Sequence, residues 1–127
     1  GFLMPNWQPN WNNVRYDWGA ADAARQALLH AADQLDTTAR ERSRKAREAT
    51  EQWLGSCRDR FDGELERMLR RADELAAQYR SAAIRIAQAS RRAYDEQAHR
   101  ESERRRWYRE RRAERRHRRT ERPFRSD

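Results

Sequence analysis

The sequence contains little glycine, proline or cysteine. Its 127 residues include four glycines, three prolines and one cysteine, while 39% of them are charged. Such a composition favours long helices, because glycine and proline are the residues that interrupt them. The single cysteine, Cys57, excludes a disulfide within the chain and does not indicate the redox compartment.

Long apolar runs are missing too. No stretch approaches the roughly 20 apolar residues that a membrane-spanning helix needs. The first ten residues, GFLMPNWQPN, lack the basic and apolar regions of a signal peptide. If the protein leaves the cell, we therefore expect a route independent of a signal peptide.

The residue patterns of catalysis and metal binding are also absent. His30, His99 and His117 lie far apart, and none has a cysteine or histidine at a metal-ligand spacing. The sequence contains no Gly-rich phosphate loop. Cys57 begins an apolar stripe, so we expect a small buried residue and not a reactive thiol. The sequence predicts a protein that binds and does not catalyse, without cofactor or metal.

Positive charge is concentrated near the C-terminus. Residues 1–99 carry 16 Lys and Arg against 15 Asp and Glu, whereas residues 100–127 carry 13 Arg against 6 acidic residues. This basic tail predicts one of three roles. It contacts nucleic acid, with Trp107 or Tyr108 stacking on bases; it docks on an anionic membrane or acidic partner; or it is a solvated helical extension, which the interleaved glutamates favour.

Asp17 is a good N-capping residue and predicts the start of a first helix. After it, small or apolar residues recur at steps of three and four, which is the pattern of a helix with one buried side. They are Ala21, Ala24, Leu28, Ala32, Leu35, Ala39, Ala46, Ala49 and Trp53, with Arg42 filling one slot.

A second stripe keeps its phase over a longer stretch. Its members are Cys57, Phe61, Leu65, Met68, Ala72, Leu75, Tyr79, Ala82, Ile86, Ala89 and Ala93. Because the phase continues across Gly63, we expect a helix there, at a cost of about 1 kcal/mol relative to alanine. Beyond Ala93, pairs such as Glu114 with Arg118 favour an unsheltered helical extension to about residue 118.

Two stripes of similar length joined by a short turn predict an all-α antiparallel helical hairpin. We assign residues 1–16 to an irregular Trp-rich arm, 17–98 to the hairpin, and 99–127 to an Arg-rich helical extension and disordered tail. Because only 36% of residues are apolar, the core of one hairpin is thin, and we expect its apolar stripes to need a partner. The expected interface or core residues are Leu28, Leu35, Leu65, Met68, Leu75, Tyr79 and Ile86.

The segment EQWLGSCRD, residues 51–59, predicts the turn of the hairpin at about residues 53–56. Gly55 would adopt the left-handed conformation that ends the first helix. Ser56, with Asp59 three residues later, would cap the second helix. Trp53, as the last large residue of the first helix, would close the end of the hairpin.

The triplet Trp53-Leu54-Gly55, at the turn of a hairpin with matched stripes, resembles the motif of the Trp-X-Gly (WXG) family. These small proteins are exported by type VII secretion systems of actinobacteria and related bacteria. The resemblance covers roughly residues 17–98. It implies a non-catalytic protein that pairs with itself or a sister WXG-like protein into a four-helix bundle, which secretion machinery or an effector recognises. It also implies secretion by a route independent of a signal peptide, or a cytoplasmic location before export. The family's export signal, Tyr-x-x-x-Asp/Glu, starts at none of the four tyrosines, so we expect any export to need a signal-bearing partner.

Two other classes of protein stay open. One is a nucleic-acid-binding helical protein that uses the Arg-rich tail, and the other is a coiled-coil adaptor unrelated to secretion. Trp7 and Trp11 in the arm also have two interpretations. They cover an end or groove of the bundle, or they grip a partner, since tryptophan is enriched at binding hot spots.

Overall fold

A computed structural model describes residues 6–121. Those residues form two helices, α1 (Trp18–Ala49) and α2 (Ser56–Glu121), and contain no strand. The predicted all-α hairpin is confirmed. The expected disorder of residues 122–127 concerns positions outside the described residues, as do the first five residues of the arm.

The chain divides into two units. Residues 17–90 form the hairpin unit, which contains α1 and the first part of α2. Among the described residues, 6–16 and 91–121 form the arm unit, in which the N-terminal arm and the last part of α2 belong together. α2 therefore contributes to both units.

α1 begins where its sequence predicts and ends earlier. Asp17 is its N-cap, and the side chain accepts a hydrogen bond from the Ala20 amide at 2.9 Å. At the other end, the amide and hydroxyl of Thr50 both donate to the Ala46 carbonyl, at 3.1 and 2.8 Å. Arg58 of α2 donates to the Thr50 carbonyl. A cation at the negative end of the helix dipole stabilises this end.

The seam, which is the surface where α1 and α2 meet, consists of small residues. Within the hairpin unit the fully buried positions are Ala32, Ser43, Thr50, Ala76 and Ala83. Small side chains let two helices approach closely. Ala32 belongs to the predicted stripe. Each of the other four buried residues directly follows a stripe member in the sequence or, for Ser43, follows Arg42. The seam is therefore rotated from that stripe toward the next row of residues.

Polar contacts between α1 and the hairpin part of α2 fix their register. Arg80 forms ion pairs with Asp33 at 3.1 Å and with Asp36 at 2.6 Å. The hydrogen bonds to Asp36 and then to Asp33 raise the pKa of Arg80 above its ordinary value. Near the other end of α1, Trp18 Nε1 donates to the Ser90 carbonyl at 3.1 Å. The first residue of α1, Trp18, thus contacts a later part of α2, and Asp33 and Asp36 contact an earlier part. This order is that of an antiparallel hairpin.

The close approach at the seam can be tested with Ala76→Leu. Ala76 has no exposed surface, so a larger side chain must push the helices apart. We expect the free energy of unfolding to fall by about 1–3 kcal/mol, as measured by urea denaturation followed by circular dichroism. The control is Ala77→Leu, because Ala77 is exposed on the same turn of α2. Equal stability of the two variants would contradict the small-residue seam.

Candidate functional site

The turn of the hairpin exposes its apolar residues. Trp53 is 47% exposed and Leu54 is 88% exposed. The Trp53 ring meets the ring of Phe61 at an angle, with centroids 5.6 Å apart. The expectation that Trp53 belongs to the first helix is wrong, because α1 ends at Ala49 where Thr50 caps it.

Gly55 has the predicted left-handed conformation, with φ of 77°, but its position differs from the prediction. It lies directly before α2 and not at the end of α1. Its carbonyl accepts a hydrogen bond from the Asp59 amide at 3.1 Å. Gly55 therefore occupies the N-cap position of α2, and Ser56, predicted to cap that helix, is its first residue.

Cys57 is exposed, which contradicts the prediction of a buried residue. It lies in the first turn of α2. The next residue, Arg58, contacts the end of α1 through the Thr50 carbonyl, so Cys57 lies beside that contact and not in it. Residues 6–121 contain no group of three or more His, Cys, Asp or Glu side chains placed to hold a metal ion. Within the same range, neither helix is long and apolar enough to cross a membrane.

The residues predicted to form an interface or core are only partly buried. Leu75 is 37% exposed. The other six are half-buried, namely Leu28, Leu35, Leu65, Met68, Tyr79 and Ile86. In the hairpin unit, the fully buried positions are thus small residues, while the large aliphatic side chains retain contact with water.

Helical phase places several of these side chains on one side of the hairpin. The ion pairs of Arg80 with Asp33 and Asp36 mark the opposite side. Around the axis of α1, the seam positions lie between Asp36 on one side and Leu28 and Leu35 on the other. Around the axis of α2, they lie between Arg80 on one side and Met68 and Leu75 on the other. The two rows share a face because the helices are antiparallel. We call Leu28, Leu35, Met68 and Leu75 the leucine face.

Small residues border the leucine face on the α1 side. Ala24 and Ala27 are exposed, and Ala31 is half-buried. None of them carries a charge that a partner would have to desolvate. The hairpin therefore has one side with cross-helix ion pairs and another where the leucine face lies beside these alanines. The charged residues Arg42, Glu64 and Arg71 are exposed at the borders of that second side.

In the arm unit, the N-terminal arm (residues 6–16) runs antiparallel to α2. The Val14 amide donates to Gln97 Oε1 at 2.8 Å. Arg104 donates to the carbonyls of Asn10 and Asn12 and to the Asn13 side chain, at 2.8–2.9 Å. The expectation of an unsheltered extension is therefore wrong, because the arm covers one side of this helix.

The tryptophans of the arm pack on the same helix. The Trp11 ring meets Trp107 and Tyr108 edge to face, with centroids 5.3 and 5.7 Å apart. Trp7 donates from Nε1 to Glu110 at 2.9 Å. Trp107 becomes 93% buried, being only 7% exposed, whereas Trp11 stays 45% exposed. Trp7 and Trp11 thus cover a surface of their own chain, although Trp11 retains a large accessible area.

Ion pairs divide the arginines of the arm unit into two groups. The acidic residues of the helix pair with Arg91, Arg100, Arg106 and Arg118. Within the described part of the chain, no carboxylate pairs with Arg111, Arg112 or Arg115. The interleaved glutamates therefore neutralise particular arginines and leave others available.

These three arginines border a cleft of about 300 Å³ together with the aromatic cluster. The residues that line this aromatic–arginine cleft are Trp11, Trp107, Tyr108, Arg111, Arg112 and Arg115. The Arg111 guanidinium lies 5.1 Å from the centroid of the Trp107 ring. Trp107 Nε1 is buried and lacks a hydrogen-bond partner among residues 6–121. The cleft thus combines cationic groups and ring surfaces.

Sequence patterns did not predict that the arm and the extension contact each other. The asparagines of the arm interact largely through backbone carbonyls, which side-chain periodicity does not report. One usable signal was present. The buried phase of α2 continues past Ala93 through Gln97, Arg100 and Arg104 to Trp107, and all five positions are half-buried or buried. Polar residues in that phase concealed the continuation.

Comparison of the chain with protein-family models, with curated proteins and with solved structures finds no match. Two surfaces of the molecule are therefore the candidates for function. They are the leucine face in the hairpin unit and the aromatic–arginine cleft in the arm unit.

The contact between Trp7 and Glu110 predicts an acid-sensitive arm. The hydrogen bond from Trp7, followed by that from Arg106, lowers the pKa of Glu110. A lowered pKa means that the contact contributes stability above the usual glutamate pKa and loses it as pH falls through the lowered value. We expect the tryptophan fluorescence to shift toward that of exposed indole in this acidic range.

The control is Glu110→Gln, whose amide oxygen still accepts from Trp7 but does not titrate. Circular dichroism at each pH separates arm release from loss of helix. An identical acid transition in Glu110→Gln would contradict the assignment to Glu110.

Proposed function

We propose that this chain is a non-catalytic, WXG-like protein that pairs through its leucine face into a four-helix bundle and acts by binding. The observation that carries the proposal is the distribution of burial in the hairpin unit. Ala32 and Ala76 have no exposed surface, whereas Leu75 is 37% exposed. A hairpin closed by small residues leaves its large apolar groups for a second chain.

The physical reason to pair is the apolar area still in water. Full burial of a Leu or Met side chain contributes about 1.5–3 kcal/mol, and a half-buried side chain realises only part of it. A second hairpin that lies on Leu28, Leu35, Met68 and Leu75 would complete that burial. Its own small residues, Ala24, Ala27 and Ala31, would permit close approach.

The proposed occupant is a second copy of this chain. A two-fold axis across the leucine face would set the apolar rows of one hairpin against the same rows of the other. Such an isologous arrangement needs no other surface. The border alanines bring no like charges together beside Leu28. A sister hairpin with the same pattern is the alternative that the experiment below distinguishes.

The resemblance to the WXG family supports a role in type VII secretion. The exposed Trp53 and Leu54 at the turn offer an apolar contact point to secretion machinery or an effector. Because no Tyr-x-x-x-Asp/Glu signal is present in the sequence, we propose that any export requires a partner that carries the signal.

The pairing proposal predicts that Leu75→Asp dissociates the dimer. The substitution would bury an unpaired charge at the interface, which is strongly unfavourable. The matched control is Ile84→Asp. Ile84 is 59% exposed and lies about 180° around α2 from Leu75. Sedimentation velocity should report a monomer for Leu75→Asp and a dimer for both the unmodified chain and Ile84→Asp.

Helicity of each variant, measured by circular dichroism, shows whether dissociation or unfolding has occurred. A helical Leu75→Asp chain that remains dimeric would contradict pairing through the leucine face. The unmodified chain could instead be a monomer that binds a sister hairpin, with binding lost in Leu75→Asp. That result would show that the sister hairpin, and not a second copy of this chain, occupies the leucine face.

A further inference from the structure

We propose that the aromatic–arginine cleft of the arm unit binds single-stranded nucleic acid, with a base against the rings and phosphates on the arginines. This proposal is independent of pairing through the leucine face. The cleft lies wholly within the arm unit, and its residues take no part in the hairpin seam. It also gives a role to side chains that hairpin formation does not use.

The cleft offers arginines that acidic side chains do not neutralise. Arg111, Arg112 and Arg115 line the cleft, and no carboxylate among the described residues pairs with them. Glu110 and Glu114, the nearest acids in the sequence, pair instead with Arg106 and Arg118. An unpaired guanidinium at the surface can release counterions when it contacts a phosphate, which makes such a group effective in nucleic-acid binding.

The cleft also offers accessible aromatic rings. Tyr108 is 53% exposed and Trp11 is 45% exposed, although both pack against Trp107. Contact with neighbours holds these rings in place while part of each remains accessible. Aromatic rings beside a cationic groove are the arrangement on which unpaired bases stack.

The size of the cleft narrows the ligand further. A volume of about 300 Å³ lies at the small end of ligand pockets, so the cleft has room for one nucleotide unit. A lipid headgroup or an acidic peptide would satisfy the arginines and leave the rings unused.

The cleft is formed by two separate segments, the N-terminal arm and α2. Trp11 belongs to the arm, whereas the other residues of the cleft belong to α2. Arg104 holds the arm through Asn10, Asn12 and Asn13. The ring cluster is therefore complete only while the arm lies on the helix.

The test measures binding of the full chain to a fluorescein-labelled oligothymidylate of roughly 20 nucleotides by anisotropy, at about 50 and about 200 mM salt. We expect affinity to fall steeply with salt. In Arg112→Gln/Arg115→Gln, affinity should fall and the salt slope should become less steep by about 1.4, the value for two lost phosphate contacts on a single strand. The charge-matched control is Arg91→Gln/Arg92→Gln, which lies on the same helix away from the cleft and should bind almost normally.

Stacking is tested separately with Tyr108→Leu, which keeps an apolar contact for Trp11 but removes the ring. We expect about tenfold weaker binding. Tyr94→Leu is the matched control, because Tyr94 is similarly exposed at 58% and lies outside the cleft. Heparin, a polyanion without bases, should bind Tyr108→Leu and the unmodified chain equally well.

Three results would overturn the proposal. The first is no binding of oligothymidylate at the lower salt concentration, including the case where only phosphatidylserine vesicles bind. The second is equal weakening by the cleft double variant and its charge-matched control. The third is unchanged oligothymidylate affinity in Tyr108→Leu, which would reduce the interaction to charge alone. None of these results bears on the dimer.

Discussion

Close contact between small side chains is the constraint on which the hairpin unit depends. Ala32 and Ala76 have no exposed surface, and Ala83 retains only 2%. Where these alanines lie, the helices leave little room for a large side chain between them, and the four residues of the leucine face lie at the edge of the seam. Because the ion pairs of Arg80 occupy one edge, the apolar side chains collect on the other. The same packing that closes the hairpin thus creates its apolar face.

The helices themselves follow from local sequence. Asp17 caps α1, and the heptad phase carries α2 across Gly63 as expected. The seam was harder to predict, because periodicity identifies a broad apolar stripe but not which row makes the closest contact. The apolar period predicts Leu75 and Ala82 as the facing residues, whereas the structure buries their neighbours Ala76 and Ala83. At the early end of α1, Arg58 of the other helix donates to the Thr50 carbonyl, a contact that no pattern within α1 reveals.

The arm shows a second limit of sequence patterns. Trp7 and Glu110 are 103 positions apart in the chain, and their hydrogen bond follows no local rule. Charge counting was equally incomplete, since alternating Arg and Glu suggests uniform neutralisation. In the folded chain, Glu110 and Glu114 pair with Arg106 and Arg118. The arginines that border the cleft are left without such partners among the described residues. The two units thus carry surfaces of different chemistry, one apolar and one cationic with exposed rings.

The central claim is that the hairpin leaves its core incomplete and a second copy completes it. Light scattering coupled to size exclusion, on the full chain at low and high salt, tests this claim most directly. We predict a mass near twice the 15.4 kDa of one chain. It should not fall at high salt, because burial of an apolar face does not depend on screened charges. A fully helical, stable monomer at both salt concentrations would contradict the claim.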